Sequence, residues 1–220
     1  MSKLTLYHGS KSGLVGAIDP AYGNRFCDFG PGFYMGISPE QPRTLICGRE
    51  NTKPILYKLE LELDGLKVMN LEPGLDWLMF VAYSRGRLEQ YRGTALYSKY
   101  SSLRSGYDII AGKIANDRIY DSLTNFFDGN ISLGCCLECL KSIKLGDQYV
   151  AVTSKACAAI AIVDERVITG AEYDRYHELA IDQRRVALSQ TEKLRRAWRH
   201  REDRFFDEIL EAELKAEGEA

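Results

Sequence analysis

Long apolar runs are missing from this chain of 220 residues, which has no stretch near the roughly 20 apolar residues that a membrane-spanning helix needs. The first residues, from Met1 to Leu6, show no basic segment followed by an apolar one, so no secretion signal is predicted. The hydrophobic fraction of 45% and the charged fraction of 27% are typical of globular proteins in solution. We therefore expect a cytoplasmic protein that does not insert into a membrane.

A strong net charge is also missing, because 29 Lys and Arg residues against 31 Asp and Glu residues give a formal net charge of −2. The chain as a whole has no electrostatic attraction to nucleic acid or to a membrane surface, and any such binding would have to be local. No internal repeat and no low-complexity tract is visible. The length favours one domain of ordinary size plus an appendage.

The cysteines lack the regular spacing of a small disulfide-bonded secreted domain, although the chain has six of them. Cys135, Cys136 and Cys139 crowd within one helical turn, which favours reduced thiols in a cytoplasmic protein. Cys136 and Cys139 have a C-x-x-C spacing, but no second pair of ligands completes a zinc site and the three histidines are distant in sequence. We expect buried helical thiols and no bound metal.

Alternation of apolar and polar residues predicts the strands. Residues 4–8 alternate until Gly9 breaks the pattern, so His8 is predicted at the end of a strand. Residues 55–63 form the clearest strand, with one apolar and one charged face. Further strands are predicted at 107–111 and 148–153, whereas 156–163 is too apolar and too short to be assigned to helix or strand.

Helical periodicity is found at residues 74–90, 114–127 and 132–143. The polar, tyrosine-rich stretch that follows the first of these helices, up to Ser105, is predicted to be loop. Residues 172–214 contain no Gly or Pro and are rich in charge, which predicts one or two long helices. The predicted organisation is a domain at 1–169 and a charged helical extension at 170–220.

The helical extension carries an apolar stripe that has to be buried somewhere. The stripe consists of Leu194, Trp198, Phe205, Ile209 and Leu214. Packing within the chain and an interface with a partner protein both explain it, and the sequence leaves the two open. The same segment carries a basic run from Lys193 to Arg204. Nucleic-acid binding is a less favoured explanation than the other two, because acidic residues flank this run on both sides.

Three short motifs combine residues that are chemically suited to a binding site. They are Tyr7-His8-Gly9-Ser10, Phe29-Gly30-Pro31-Gly32-Phe33-Tyr34 and Asp147-Gln148-Tyr149-Val150. In this order, on strand, loop and strand, they resemble the H-Y-E signature of diphtheria-toxin-like ADP-ribosyltransferases and poly-ADP-ribose polymerases. The third position departs from that signature, since it holds Gln148.

The resemblance extends over residues 4 to about 163. Residues 77–85, 107–112 and 114–120 look like those of a bacterial family of unknown function that is grouped with these transferases. In that family a glutamine at the third position is usual, so we interpret Gln148 as a family trait and not as a decayed site.

The resemblance implies an NAD+ site that uses no metal. His8 would bind a ribose hydroxyl, the Gly9 backbone would hold the nicotinamide amide, and Ser10 would contact the other ribose. Tyr34 would stack on the nicotinamide ring, and Gly32 would let the backbone approach the cofactor closely.

The second face of the nicotinamide ring has no assigned partner. The place at which the larger family often has a second tyrosine holds Leu45. Phe26, Phe29 or Phe33 could cover that face instead, and the sequence does not decide between them.

Release of nicotinamide develops oxocarbenium character on the ribose, which correctly placed dipoles and charges stabilise. Gln148 can supply a hydrogen bond there but not the negative charge of a glutamate. Asp147 does not replace it, because neighbouring strand residues point to opposite faces. We therefore predict that Asp117, which follows the Gly112 turn, lies near the site as the missing carboxylate.

These observations predict an α+β fold of the ADP-ribosyltransferase type, with a split β core, flanking helices and a helical C-terminal extension. The expected activity is mono-ADP-ribosyl transfer from NAD+ to a protein or nucleic acid. The resemblance implies a bacterial toxin of a toxin-antitoxin or phage-defence pair, whose antitoxin could bind the C-terminal helices. The alternatives are an NAD+ glycohydrolase and a catalytically silent module that binds NAD+ or ADP-ribose.

Overall fold

The computed structural model describes residues 3–23, 26–48, 53–115, 117–143 and 146–218. The strands in these residues are β1 (Lys3–Ser10), β2 (Phe33–Gly36), β3 (Ile55–Glu62), β4 (Val68–Leu71), β5 (Ile109–Lys113), β6 (Asp147–Ala151) and β7 (Ile160–Val167). They form one sheet in the order β4-β5-β6-β2-β1-β3-β7. Neighbouring strands are antiparallel, except that β4 and β5 are parallel.

The helices in the same residues are α1 (Glu40–Ile46), α2 (Leu75–Ser84), α3 (Ala95–Ser102), α4 (Asp117–Phe127), α5 (Leu133–Ser142), α6 (Ser154–Ala158), α7 (Gly170–Trp198) and α8 (Phe206–Gly218). Short 3-10 turns lie at Pro20–Tyr22 and Glu89–Tyr91. The predicted α+β class is confirmed. The helix predicted at 74–90 ends earlier, at Ser84, since the chain turns at Gly86 with a φ of +77°.

The two faces of the sheet bury different clusters. On one face of strand β3, Tyr57, Leu59 and Leu61 are 3%, 0% and 0% exposed, as the alternation predicts. That face buries a smaller cluster with Leu6. On the other face, Val150 packs under the helices in the largest cluster of the molecule. Most helices therefore cover one face of the sheet.

Strands β1 and β2 separate soon after they meet. Strand β1 pairs with β3 along its whole length, from Lys3 opposite Glu62 to Ser10 opposite Ile55. With β2 it shares only the pair Tyr7 and Gly36. The sheet is therefore split beyond Tyr7, and the three residues that follow in β1 border the gap.

One predicted loop, one segment without a prediction and one open segment have the following structures. The stretch to Ser105 contains α3, because Thr94 accepts a hydrogen bond from the Tyr97 N–H at 3.2 Å and caps a helix that buries Leu96 and Tyr100. Strand β4 was not predicted, since four residues are too few to show a period. The open segment 156–163 divides into the end of α6 and the start of β7.

The C-terminal helices pack on the rest of the chain. Helix α7 lies against α1, α4 and α5, and Ser122 and Thr191 share a buried hydrogen bond of 2.7 Å. Helix α8 buries Ile209 in the largest cluster, on which Leu194, Trp198 and Leu214 also pack. Intramolecular packing therefore accounts for most of the apolar stripe, whereas Phe205 is 36% exposed.

Candidate functional site

A cleft of about 870 Å³ opens where β1 and β2 separate. Its walls are residues 7–15, strand β2, the α1 residues Pro42, Leu45 and Ile46, and the side chains of Arg85 and Gln148. A volume of this size is within the range of small-molecule sites in proteins. The three sequence motifs thus meet at one place, which their separation in sequence does not reveal.

His8 bridges the gap between the separating strands. Its Nδ1 is 2.7 Å from the carbonyl oxygen of Tyr34, so the imidazole takes the place of a backbone hydrogen bond between β1 and β2. The ring also stacks on Phe33 with a centroid separation of 4.3 Å. These two contacts fix the position and the plane of the imidazole.

The tautomer of His8 follows from its partner. A carbonyl oxygen only accepts, so Nδ1 donates and carries the proton of the neutral ring. Burial lowers the pKa of His8 below 6.5, and the hydrogen bond to Tyr34 opposes this change only in part. At neutral pH the ring therefore keeps a lone pair on Nε2, for which we find no hydrogen-bond partner among the described residues.

Tyr34 is fixed by two hydrogen bonds of its hydroxyl group. Its hydroxyl donates to the Gly30 carbonyl at 2.7 Å and accepts from the Phe29 N–H at 2.9 Å. Gly30 has a φ of +77°, which turns the loop so that both groups reach one hydroxyl. Burial, and next the charge of Asp28, raise the pKa of Tyr34 well above 10, so the hydroxyl stays protonated. Tyr34 is therefore a fixed part of the cleft wall.

Gln148 is 4% exposed and lies on β6, next to β2. Its Nε2 donates to Asp28 Oδ2 at 3.4 Å and to the Lys113 carbonyl at 3.3 Å. Asp28 in turn pairs with Arg85, with 2.8 Å between Oδ1 and Nη2. An ion pair therefore lies beside Gln148 in the wall of the cleft.

Two glycines of the predicted site are required by packing. A Cβ on Gly9 would lie 2.8 Å from Ile46 Cγ2 and 2.9 Å from the Pro42 carbonyl oxygen, so helix α1 could not approach β1. A Cβ on Gly32 would lie 2.5 Å from Val150 Cγ1. Both glycines let the walls of the cleft come together.

The structure brings together most, but not all, of the predicted site residues. His8, Gly9, Ser10, Gly32, Phe33, Tyr34 and Gln148 all line the cleft. Ser10 Oγ is already bonded to the Gly13 carbonyl at 3.0 Å. Leu45 is a half-exposed apolar residue of the wall.

Phe29 does not belong to the candidate site. It is 0% exposed and packs in the core, with its ring 5.9 Å from that of Phe80. The neighbouring residues Asp28 and Gly32 reach the cleft instead. Asp117 begins α4, but its side chain lies outside the described part of the structure, so its predicted role stays a prediction.

Asp28 and Arg85 are site residues that the sequence reasoning missed. Asp28 lies directly before the second motif, and Arg85 directly follows the apolar helix α2. A charged residue at each of these places was the available signal, but nothing in the sequence indicates that the two pair. Arg85 also donates to the Ala115 carbonyl at 2.6 Å.

A second, smaller cavity of about 280 Å³ lies behind the loop of the second motif. Aromatic residues line it, among them Phe26, which is half exposed, and Arg104 bonds the Pro31 carbonyl at 2.8 Å on its wall. Phe26 therefore faces this cavity and is not part of the cleft lining.

The cysteines are buried in the helical core. Cys135, Cys136 and Cys139 are 1%, 0% and 0% exposed, and burial raises the pKa of all three thiols, that of Cys135 to about 12. In the part of the chain that the structure describes, no group of three potential ligands could hold a metal ion. No described helix is both long and apolar enough to span a membrane.

The fold and the cleft define an α+β protein with a small-molecule-sized site at a split in its sheet. Comparison with known families matches residues 4–162 to one described as Protein of unknown function (DUF3990). The chain belongs to this family. No curated protein and no solved structure gives a significant match to the chain.

Proposed function

We propose that this protein is an ADP-ribosyltransferase that takes ADP-ribose from NAD+ and transfers it to a protein or nucleic acid. The observation that carries the proposal is the imidazole of His8, which closes the split between β1 and β2 and keeps Nε2 available at the cleft. The motif resemblance described above supports the choice of NAD+.

The polar groups of the cleft suit a ligand that is rich in hydroxyl groups. His8 Nε2 and Gln148 Oε1 are acceptors without a partner among the described residues, and ribose hydroxyls are donors. Tyr34 presents a ring whose hydroxyl is already bonded, so its remaining contact is apolar, as stacking on nicotinamide requires. Leu45 and Ile46 add apolar wall on the α1 side.

Nicotinamide is the leaving group when the bond to the ribose breaks, and positive character then develops on the sugar. In the proposed reaction, Gln148 holds a ribose hydroxyl and Tyr34 orients the departing ring. The dipole of Gln148 is fixed before the reaction by the two bonds of its Nε2, so it stabilises that charge without reorganisation.

The first test follows nicotinamide release and labelled ADP-ribose in bacterial lysate, with label on protein and on nucleic acid counted separately. We expect His8→Ala to lower nicotinamide release by about 100-fold, since a lost preorganised contact in an active site has an effect of this order. His177→Ala is the matched control, because His177 Nδ1 also bonds a carbonyl oxygen, that of Cys47 at 2.9 Å, and lies outside the cleft.

Equal activity in His8→Ala and wild type would contradict the proposal. Nicotinamide release without label on any macromolecule would instead identify an NAD+ glycohydrolase. Binding of NAD+ without release would identify a silent module, for which the uncharged Gln148 is the supporting observation.

The variants His8→Ala and His177→Ala also test whether the protein is toxic to bacterial cells. As a cytoplasmic toxin, the wild type and His177→Ala would arrest bacterial growth on expression, and His8→Ala would not. Arrest by all three proteins would count against a toxin that depends on this cleft. A cognate antitoxin would be expected to relieve the arrest.

A further inference from the structure

The orientation of the Gln148 amide is determined by its surroundings. Both neighbours of the amide nitrogen, Asp28 Oδ2 and the Lys113 carbonyl, are acceptors. If the amide were flipped, its oxygen would face these two acceptors and no hydrogen bond could form. The nitrogen is therefore taken up by Asp28 and Lys113, and Oε1 is left to accept from a ligand in the cleft that Gln148 lines.

Asp28 is held in place by two further contacts. Its Oδ1 pairs with Arg85, and its Oδ2 accepts from the Ala115 N–H at 2.8 Å as well as from Gln148. Arg85 bonds the Ala115 carbonyl too, so the ion pair and the chain at 115 form one rigid unit. Both side chains of the ion pair are 14% exposed, which limits screening by water.

We propose that Asp28 is a positioning residue that holds the Gln148 amide with Oε1 toward the cleft. It also places a carboxylate, ion-paired with Arg85, in the wall of the cleft beside Gln148. This inference rests on the proposed function for its catalytic consequence, whereas the contact between the two side chains does not.

The arrangement makes a counterintuitive prediction for Gln148→Glu. Two carboxylates would then be about as close as the 3.4 Å contact that they replace, and they repel each other when both are ionised. A proton shared by the pair relieves the repulsion and restores a donor toward Asp28. A glutamate at 148 is therefore harmful at high pH and less so at low pH.

The experiment compares four proteins: wild type, Asp28→Asn, Gln148→Glu and the double variant. Nicotinamide release from NAD+ is measured between pH 6 and pH 8, and thermal unfolding is measured in the same buffers. We expect Gln148→Glu to lose about tenfold or more in activity at pH 8, the scale of a broken charged hydrogen bond, and to recover partly at pH 6. The double variant should return to within about threefold of wild type, since it again has one carboxylate beside Arg85.

Asp128→Asn is the matched control, because Asp128 pairs with Arg87 at 2.9 Å on the surface and does not line the cleft. It should leave activity and its pH profile unchanged. A residue that only supports the fold would not produce rescue by the exchanged charge or a pH-dependent defect.

The proposal is overturned if Gln148→Glu is as active as wild type at pH 8, or if the double variant is no better than the single one. If no protein releases nicotinamide, wild type included, the proposed function fails separately. The unfolding temperatures then test whether the two side chains are in contact. The unfolding temperature of Gln148→Glu should be lower than that of wild type at pH 8, and that of the double variant should return to the wild-type value. Additive unfolding temperatures would refute the contact whatever the activity assay reports.

Discussion

An aspartate cluster lies at each end of strands β5 and β6, and the two clusters differ in what they leave unpaired. At one end, Asp108 accepts from the Lys67 N–H at 3.0 Å and from Thr153 Oγ1 at 2.9 Å. At the other end, Asp28 pairs with Arg85 and accepts a hydrogen bond from Gln148. The ends lie roughly 13 Å apart, since four residues of β5 separate them.

Both oxygens of the Asp108 carboxylate have partners within the protein. Its hydrogen bonds connect the chain before β4 with the chain after β6, and the Val152 N–H bonds the Asp108 carbonyl at 3.0 Å. The cleft cluster leaves the Oε1 of Gln148 available, and nearby His8 leaves its Nε2 available. Comparable polar burial thus serves stability at one end and, in our proposal, binding at the other.

The largest effect on stability should come from the Asp108 cluster. Asp108→Ala leaves the Lys67 N–H and the Thr153 hydroxyl without their acceptor, which costs about 2 to 3 kcal/mol of the free energy of unfolding. Urea unfolding measures this loss. Nicotinamide release per folded molecule should stay within about twofold of wild type, because no bond of this cluster reaches the cleft.

A drop in activity that exceeds the loss of folded protein would show that the two ends are coupled. Such a result would remove the distinction between a structural and a functional cluster.

A smaller effect on stability, but a larger one on binding, is expected from Tyr34→Phe. The ring remains, but the Phe29 N–H and the Gly30 carbonyl lose their shared partner, which costs about 1 kcal/mol. The freed ring should raise the KM for NAD+ by about fivefold with little change in kcat, as expected when uniform binding is lost.

Tyr100→Phe provides the control for this variant. Tyr100 is buried and donates to Asp76 at 2.9 Å, away from the cleft. It should lose a similar amount of stability with no change in KM. A raised KM in both variants would point to general loosening of the fold.

The smallest effect concerns pH. The hydrogen bond from the Lys67 N–H, and next that from Thr153, lower the pKa of Asp108 from its ordinary value of 3.8. Its ionised form therefore stabilises the fold above that value, and the contribution is lost as the pH falls through the lower native pKa. From about pH 5 to pH 2, wild type should lose about 1 kcal/mol more unfolding free energy than Asp108→Asn.

Acid unfolding with urea, followed for both proteins, checks this difference. Asp76 also has a lowered pKa, mainly through its hydrogen bond to Lys99, but both proteins contain it. Equal slopes in the two proteins would mean that Asp108 does not contribute to the pH dependence.

Local pattern predicted much of the fold. The strict alternation over β3 and the absence of Gly and Pro from residues 172–214 each favour one conformation without help from distant residues. Helix α3 and strand β4 were missed for the opposite reason. Tyr100 becomes an apolar anchor only when the core surrounds it, and Val68–Leu71 becomes a strand only through its pairing with β5.

The candidate site was predicted in part. His8, Tyr34 and Gln148 could be named because each lies in a short motif of unusual composition. Phe29 lies in the core and outside the cleft lining, and an aromatic residue in a glycine-rich loop looks the same in sequence whether it faces a ligand or the core. Asp28 carries no local signal that separates it from other loop aspartates.

By itself, the sequence determined which segments form strands and helices and which short motifs have unusual chemistry, because these follow from the spacing of neighbouring residues. Only the tertiary structure decided that β1 separates from β2 beside His8 and that Asp28 meets Gln148. Those partners are 120 residues apart, and Asp28 and Arg85 are 57 apart. Contacts over such separations depend on how the whole sheet packs, which no local spacing encodes.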